Sequence, residues 1–193
     1  MMHSPGDDST IARISYAEFF RCGQAASMGR YPIHFHMIGR VTKSYVIGNA
    51  IHHSYNRAVT IHGVHYLRVT DNVAYHIMGH TYFMEDGIET KNQVLRNLAI
   101  GTYAAFGMLD TDQMPASFWV TNPDNIYIGN HAAGSDHCNF WFKLGDHPSG
   151  PSATESVCPN GVKLGTFTDN VAHSALRYGL RVFPIYVPRT NPC

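Results

Sequence analysis

Hydrophobic and polar residues alternate along this chain in short runs, and the runs recur. IHFH (33–36), VTIH (59–62), FMED (83–86), FGML (106–109), FWFK (140–143) and LRVF (180–183) place apolar side chains at every second position. That is the period of a β-strand with one buried face. The segments between them lack the apolar spacing of an amphipathic helix.

A second recurrence sets the phase. VIGNAIHHS, VTDNVAYHI, VLRNLAIGT, YIGNHAAGS and FTDNVAHSA align on Asn49, Asn72, Asn97, Asn130 and Asn170. RCGQAAS is a weaker copy with Gln24 in that place, and the steps are 25, 23, 25, 33 and 40 residues. Units of this length predict an all-β fold, a parallel β-helix of about six coils, in which each coil buries its apolar face only against its neighbours. Asparagine suits the corner because it tolerates left-handed backbone and its amide can bond the same amide one coil away. A leucine-rich repeat has a similar period, but no L-x-x-L-x-L pattern precedes the asparagines.

The two long steps predict loop insertions near 110–122 and 145–161, both rich in turn formers. The predicted organisation is a disordered or unpaired leader at 1–12, the β-helix at 13–185 and a tail at 186–193. Neither end carries a polar cap, so the chain is expected to be a fragment of a longer solenoid.

Stacking the strands gives an inward column of Ile33, Val59, Phe83, Phe106, Phe140 and Leu180, joined two residues on by Phe35, Ile61, Phe142 and Val182. The predicted outward columns are His34, Thr60, Met84, Gly107, Trp141 and Arg181, then His36, His62, Asp86, Asp110 (or Leu109) and Lys143. Neighbouring rungs lie about 4.8 Å apart. Asp86 and Asp110 would then sit about 5 Å apart, the spacing of a retaining glycosidase pair. His36, His62 and Asp86 on three successive rungs could share a metal ion, with zinc the match to the ligand types. Glu85 breaks the apolar pattern beside Asp86; a bulge would exchange which of the two faces outward.

The candidate catalytic residues are therefore Asp86, Glu85, Asp110 and His36, and the candidate substrate-binding residues are Arg30, His34, His62 and Trp141. Arg30 could pair a sugar carboxylate through two hydrogen bonds. Trp119, Trp141 and Phe118 are stacking platforms or buried aromatics. A second histidine group, His52, His53, His76, His80 and His173, is expected to bond backbone carbonyls at turns.

Composition narrows the partners. Lys plus Arg and Asp plus Glu both total 14, so the formal charge is zero, and histidine alone reaches 13. A neutral chain is no general binder of nucleic acid or acidic membrane, so a polyanionic sugar would need local contacts. No apolar run of membrane-spanning length, signal peptide or N-x-Ser/Thr sequon is present. Four cysteines, Cys22, Cys138, Cys158 and Cys193, form no CxxC motif and allow three pairings.

GRYPIHFHMIG (29–39), IHHSYNRAVTIHG (51–63), GHTYFMEDGIE (79–89), FWVTNPDN (118–125) and AAGSDHCNFWF (132–142) resemble the fibrocystin-L-like members of the G8-domain/parallel β-helix family. That family includes the transmembrane cell-surface hyaluronidase and the cell-migration-inducing hyaluronan-binding protein. The match runs in order over about residues 13–183. The resemblance implies a right-handed β-helix, an extracellular location at the cell surface and a large modular parent. For the hyaluronidase members it also implies calcium-assisted cleavage of hyaluronan. Arg30, His34, His36, His62, Glu85 and Asp86 lie in the matching motifs. The expected function is an extracellular module presenting a rigid face to a glycosaminoglycan or a protein. The alternatives are a hyaluronan-cleaving hydrolase and a metal-dependent site.

Overall fold

The computed structural model describes residues 1–4 and 9–193. Each coil contributes one short strand to each of three parallel sheets. The first face has seven strands: Met2–His3, Ile33–Arg40, Val59–His65, Tyr82–Met84, Ala116–Val120, Cys138–Phe142 and Tyr178–Val182. The second face stacks Arg13–Ser15, Tyr45–Ile47, Arg68–Thr70, Gln93–Leu95, Ile126–Ile128 and Thr166–Thr168. The third stacks Glu18–Phe20, Ala50–Ser54, Val73–Met78, Leu98–Tyr103, His131–Ser135 and Val171–Ala175. The parallel β-helix expected from the repeat is the observed fold.

The recurrent asparagines occupy the corner between the second and third faces. Each amide donates to the next: Asn49 to Asn72 at 2.9 Å, Asn72 to Asn97 at 2.9 Å, Asn97 to Asn130 at 3.1 Å and Asn130 to Asn170 at 2.9 Å. Each Oδ1 also accepts a backbone N–H from the preceding corner, as Asn97 does from Asn72. The left-handed residue is not the asparagine but the one before it: Tyr16, Gly48, Asp71, Arg96, Gly129 and Asp169 all have positive φ. In the first coil the corner is Ala17, whose N–H donates to Asn49. Gln24, expected there, lies instead in the connection to the first face, where its N–H donates to Arg30.

A second ladder, not foreseen, holds the corner between the first and second faces. Asn92 Oδ1 accepts from Leu67 N–H, and Asn125 Oδ1 accepts from Asn92 N–H. Both amides are buried. A buried polar group without a partner costs free energy, and in these coils the stacking supplies the partners.

The core runs down the centre of the coils. On the first face the inward column is Ile33, Val59, Tyr82, Phe118, Phe140 and Leu180. Tyr82, Phe118 and Phe140 stack nearly parallel, with centroids 4.9 and 4.6 Å apart. The expected Phe83 and Phe106 are displaced from this column: Phe83 is one residue out of phase, and Phe106 is exposed in a loop. Met84, expected to face outward, is buried in the core beside Ile61. Residues 110–122, expected to be loop, contain the strand Ala116–Val120, and the irregular segment is its approach, ending in a 3-10 turn at Asp110–Gln113. The apolar run SFWV outweighed its polar flanks because it completes the sheet.

The insertion at 145–161 is a loop with short 3-10 turns at Gly150–Ser152 and Pro159–Gly161. Cys158 pairs with Cys193, which ties this loop to the tail, while Cys22 and Cys138 are free thiols. In the leader, expected to be unpaired, Met2–His3 pairs with Phe35–His36; residues 5–8 lie outside the described residues.

The ladder predicts that Asn97→Asp destabilises the chain more than Asn97→Ala. The carboxylate would place an oxygen where the amide now donates to Asn130 and to Val69 O. The alanine variant should lose about 1–3 kcal/mol per orphaned buried group, read as a shift in the guanidinium chloride midpoint. An aspartate variant as stable as wild type would contradict the bonding pattern.

Candidate histidine–carboxylate site on the first face

Strand alternation turns His34 and His36 to the outside of Ile33–Arg40, and His62 sits on the next rung opposite His36. One residue beyond Met84, which pairs with Ile61, Glu85 takes the third position of this column. Glu85 N–H donates to Ile61 O, extending the pairing. The expected order of His36, His62 and Asp86 is thus corrected to His36, His62 and Glu85, followed by Thr121 and Lys143. The cause is the one-residue phase shift that places Tyr82 rather than Phe83 inward.

Asp86 is still part of the cluster. The chain turns sharply at Gly87, where Glu89 accepts N–H bonds from Gly63, Asp86 and Gly87. This aims Asp86 back at His62, whose Nε2 is 2.9 Å from Asp86 Oδ2. Ser152 N–H, from the 145–161 loop, donates to the same oxygen at 3.2 Å. His62 Nδ1 lies 3.1 Å from His36 Nδ1 and 3.3 Å from Glu85 Oε2. His34 Nδ1 meets Gly29 O at 3.1 Å, and its other nitrogen is buried without a partner.

The electrostatics follow from burial and pairing. Burial pushes the His34 imidazole down to about 3, reinforced by the neighbouring His36 and His62. Burial would also lower His62, but the Asp86 hydrogen bond and the Glu85 charge outweigh it and raise its pKa. For Glu85, burial raises the pKa against the pull of His62 and Arg57. Burial acts the same way on Asp86, yet bonds from His62 and Ser152 hold it below the usual carboxylate range. Neighbouring carboxyl groups are thereby driven in opposite directions.

Beneath Glu85 lies a fully buried ion pair that the sequence did not reveal. Arg57 Nη2 reaches Asp112 Oδ2 at 3.1 Å and its Nε reaches Oδ1 at 3.3 Å. The guanidinium stacks 3.6 Å from the Phe83 centroid and lies 3.9 Å from Glu85 Oε2. His80 sits on Trp119, accepts Ala116 N–H at Nδ1 and turns Nε2 toward Asp112. Arg57 and Asp112 are 55 residues apart, and neither belongs to a recurrent pattern, so nothing in the sequence links them.

The other candidates are scattered. Asp110 is exposed in the 3-10 turn and is not on the rung beside Asp86, because the neighbouring rung belongs to Ala116–Val120. Arg30 is exposed in the loop before His34. Trp141 is no open platform: it is buried against Trp119 and capped by Arg181, 4.1 Å from its ring. Trp119 instead lines a groove of about 450 Å³ with Phe83, Glu85, Asp86, Thr121 and Lys143. In the second histidine group, His53 and His76 of neighbouring coils stack at 5.1 Å. His52 bonds Glu18, and His131 meets His173, so side chains rather than turn carbonyls are the partners there. Calcium takes oxygen ligands; one nitrogen from each of His34, His36 and His62 lies within 4.8 Å of the others, a donor set that does not fit calcium.

Fold and site together define a parallel β-helix with a histidine–carboxylate cluster on one face. The CEMIP beta-helix family model matches residues 3–180, and the chain belongs to that family. It is 46% identical over 197 residues to fibrocystin-L of Mus musculus, covering 100% of this chain and 5% of that protein. To the human cell surface hyaluronidase CEMIP2 it is 33% identical over 205 residues, covering 89% of this chain and 15% of the relative. The human cell migration-inducing and hyaluronan-binding protein is 33% identical over 202 residues, with coverage of 88% and 15%. The chain therefore spans a small part of each of these relatives. Among the described residues no helix is long and apolar enough to cross a membrane.

The buried pair generates two expectations. Arg57→Met leaves Asp112 charged and unpaired and should cost about 3–5 kcal/mol, measured by denaturant unfolding. Burial pushes His80 down to about 3. The unfolded chain takes up that proton below about pH 6.5, whereas the folded state does not until near pH 3. Stability should therefore fall as pH drops through this window. His80→Gln should flatten the loss between pH 7 and 5, and an unchanged slope would exclude His80 as its source.

Proposed function

We propose that this chain is the β-helix module of a larger extracellular, cell-surface protein, and that its first-face groove engages carbohydrate. The groove is the observation that carries the reading. It is lined by Glu85, Asp86 and Lys143, with the buried Phe83 and Trp119 behind them. Carboxyl groups match sugar hydroxyls, and a lysine supplies a point charge for a uronic acid. The names of the relatives, a hyaluronidase and a hyaluronan-binding protein, make hyaluronan the glycan to try first. A surface-presented module also accords with the low charge of the chain, since recognition then depends on local contacts.

A second reading, hydrolysis, is favoured by the two carboxyl groups side by side in the same groove. Glycosidases work with paired carboxylic acids. In this reading Glu85 is the proton donor, and Asp86, fixed by His62 and Ser152, is the charged partner.

Titrating the chain with size-defined hyaluronan oligosaccharides separates the readings. Binding weakened about 10-fold by Lys143→Ala, about 1.4 kcal/mol, with oligosaccharide length unchanged, supports the module. Chain shortening that disappears in Glu85→Gln supports hydrolysis. Absence of any binding by wild type would remove the carbohydrate assignment.

A further inference from the structure

The first-face histidines have a geometry that neither the groove nor the hydrolytic pair requires. His34, His36 and His62 each bring one ring nitrogen within 4.8 Å of the others. They come from two neighbouring strands, with His36 and His62 on the same rung and His34 two residues before His36.

The tautomers are constrained by the second nitrogen of two rings. Gly29 O can only accept, so His34 carries its proton on Nδ1, and Nε2 presents a bare lone pair. That Nε2 is buried with no partner, in a side chain whose residue is only 2% exposed. His62 Nε2–H donates to the Asp86 carboxylate, so Nδ1 is the His62 nitrogen that faces His36 Nδ1, 3.1 Å away. Glu85 Oε2, also buried and without a hydrogen bond, is 3.3 Å from that same nitrogen. The orphaned His34 Nε2 lies beside two further imidazole nitrogens, and a cation between the three would supply its missing partner.

We propose that His34, His36 and His62 form a binding site for a first-row divalent cation of the zinc type. Asp86 orients His62 without touching the ion, and Glu85 lies beside the site. Three imidazole nitrogens suit zinc and its first-row neighbours and not calcium or magnesium. A histidine ligand whose other N–H is held by a carboxylate is the usual arrangement around such ions. The site differs from the expected His36, His62 and Asp86 set in using His34 as the ligand. It goes beyond the carbohydrate reading and stands or falls without it.

The test uses tag-free chain, stripped with chelator and titrated with zinc or cobalt(II) alone. One equivalent should bind, and X-ray absorption of the zinc form should show imidazole scattering from about three histidines at about 2.0–2.1 Å. Binding should be lost in His34→Ala and in His62→Ala and weakened about 10- to 100-fold in Asp86→Asn. It should be unchanged in His53→Ala, on the third face. The absorption spectrum of wild type needs no variant to fold. An oxygen-only shell, a single histidine, calcium preferred over zinc, or wild-type affinity retained in the His34 or His62 variant would overturn the proposal.

Discussion

The hydrogen-bonded column of asparagine amides is the constraint on which the rest of the molecule depends. A buried side-chain amide needs donors and acceptors at fixed directions, and here it finds them only in the coil above and the coil below. Asn72 illustrates the closure: its Oδ1 accepts from Asn49, while its Nδ2 donates to Asn97 Oδ1 and Val46 O. A coil displaced by one residue would break all of these at once. The register of all three sheets is thereby locked, and with it which side chains turn outward.

Extra residues enter only where the ladder does not forbid them. The corners stay fixed, and the long steps expand the connections around the first face, so both irregular segments gather on that side. The 104–114 segment is pinned by Asp112, which accepts from Arg57 beneath the sheet. The 145–161 loop is pinned by Ser149 N–H and Ser152 N–H, both bonded to Asp86. A flat strand surface becomes a groove because these two loops flank it. The buried Arg57–Asp112 pair also places a positive charge under Glu85, so the acidic floor rests on a cationic support.

The fold divides labour between scaffold and surface. The ladders and the aromatic stack set the fold and are indifferent to what the outward columns contain. The outward columns carry the histidines, carboxyl groups and Lys143. Membership of the CEMIP beta-helix family accordingly fixes the architecture of this chain, while its chemistry has to be read from its own side chains.

The repeat was legible because it is local and periodic: the asparagine spacing and the two-residue alternation report the coil and its buried face without any knowledge of contacts. His34, His36 and His62 were legible for the same reason, as members of aligned strands. Phase was not. FMED reads equally well with Phe83 or Tyr82 inward, and only stacking of Tyr82 on Phe118 decides it, moving Glu85 onto the histidine rung and Met84 into the core. The strand Ala116–Val120 was hidden by its turn-rich approach, and Arg57, Asp112 and His80 by long sequence separation. What the chain determined by itself was the repeating unit, since propensity and periodicity act over a few residues. What the tertiary structure decided was which residues share a rung and which loop closes over them, because those choices depend on burial and on partners many residues away.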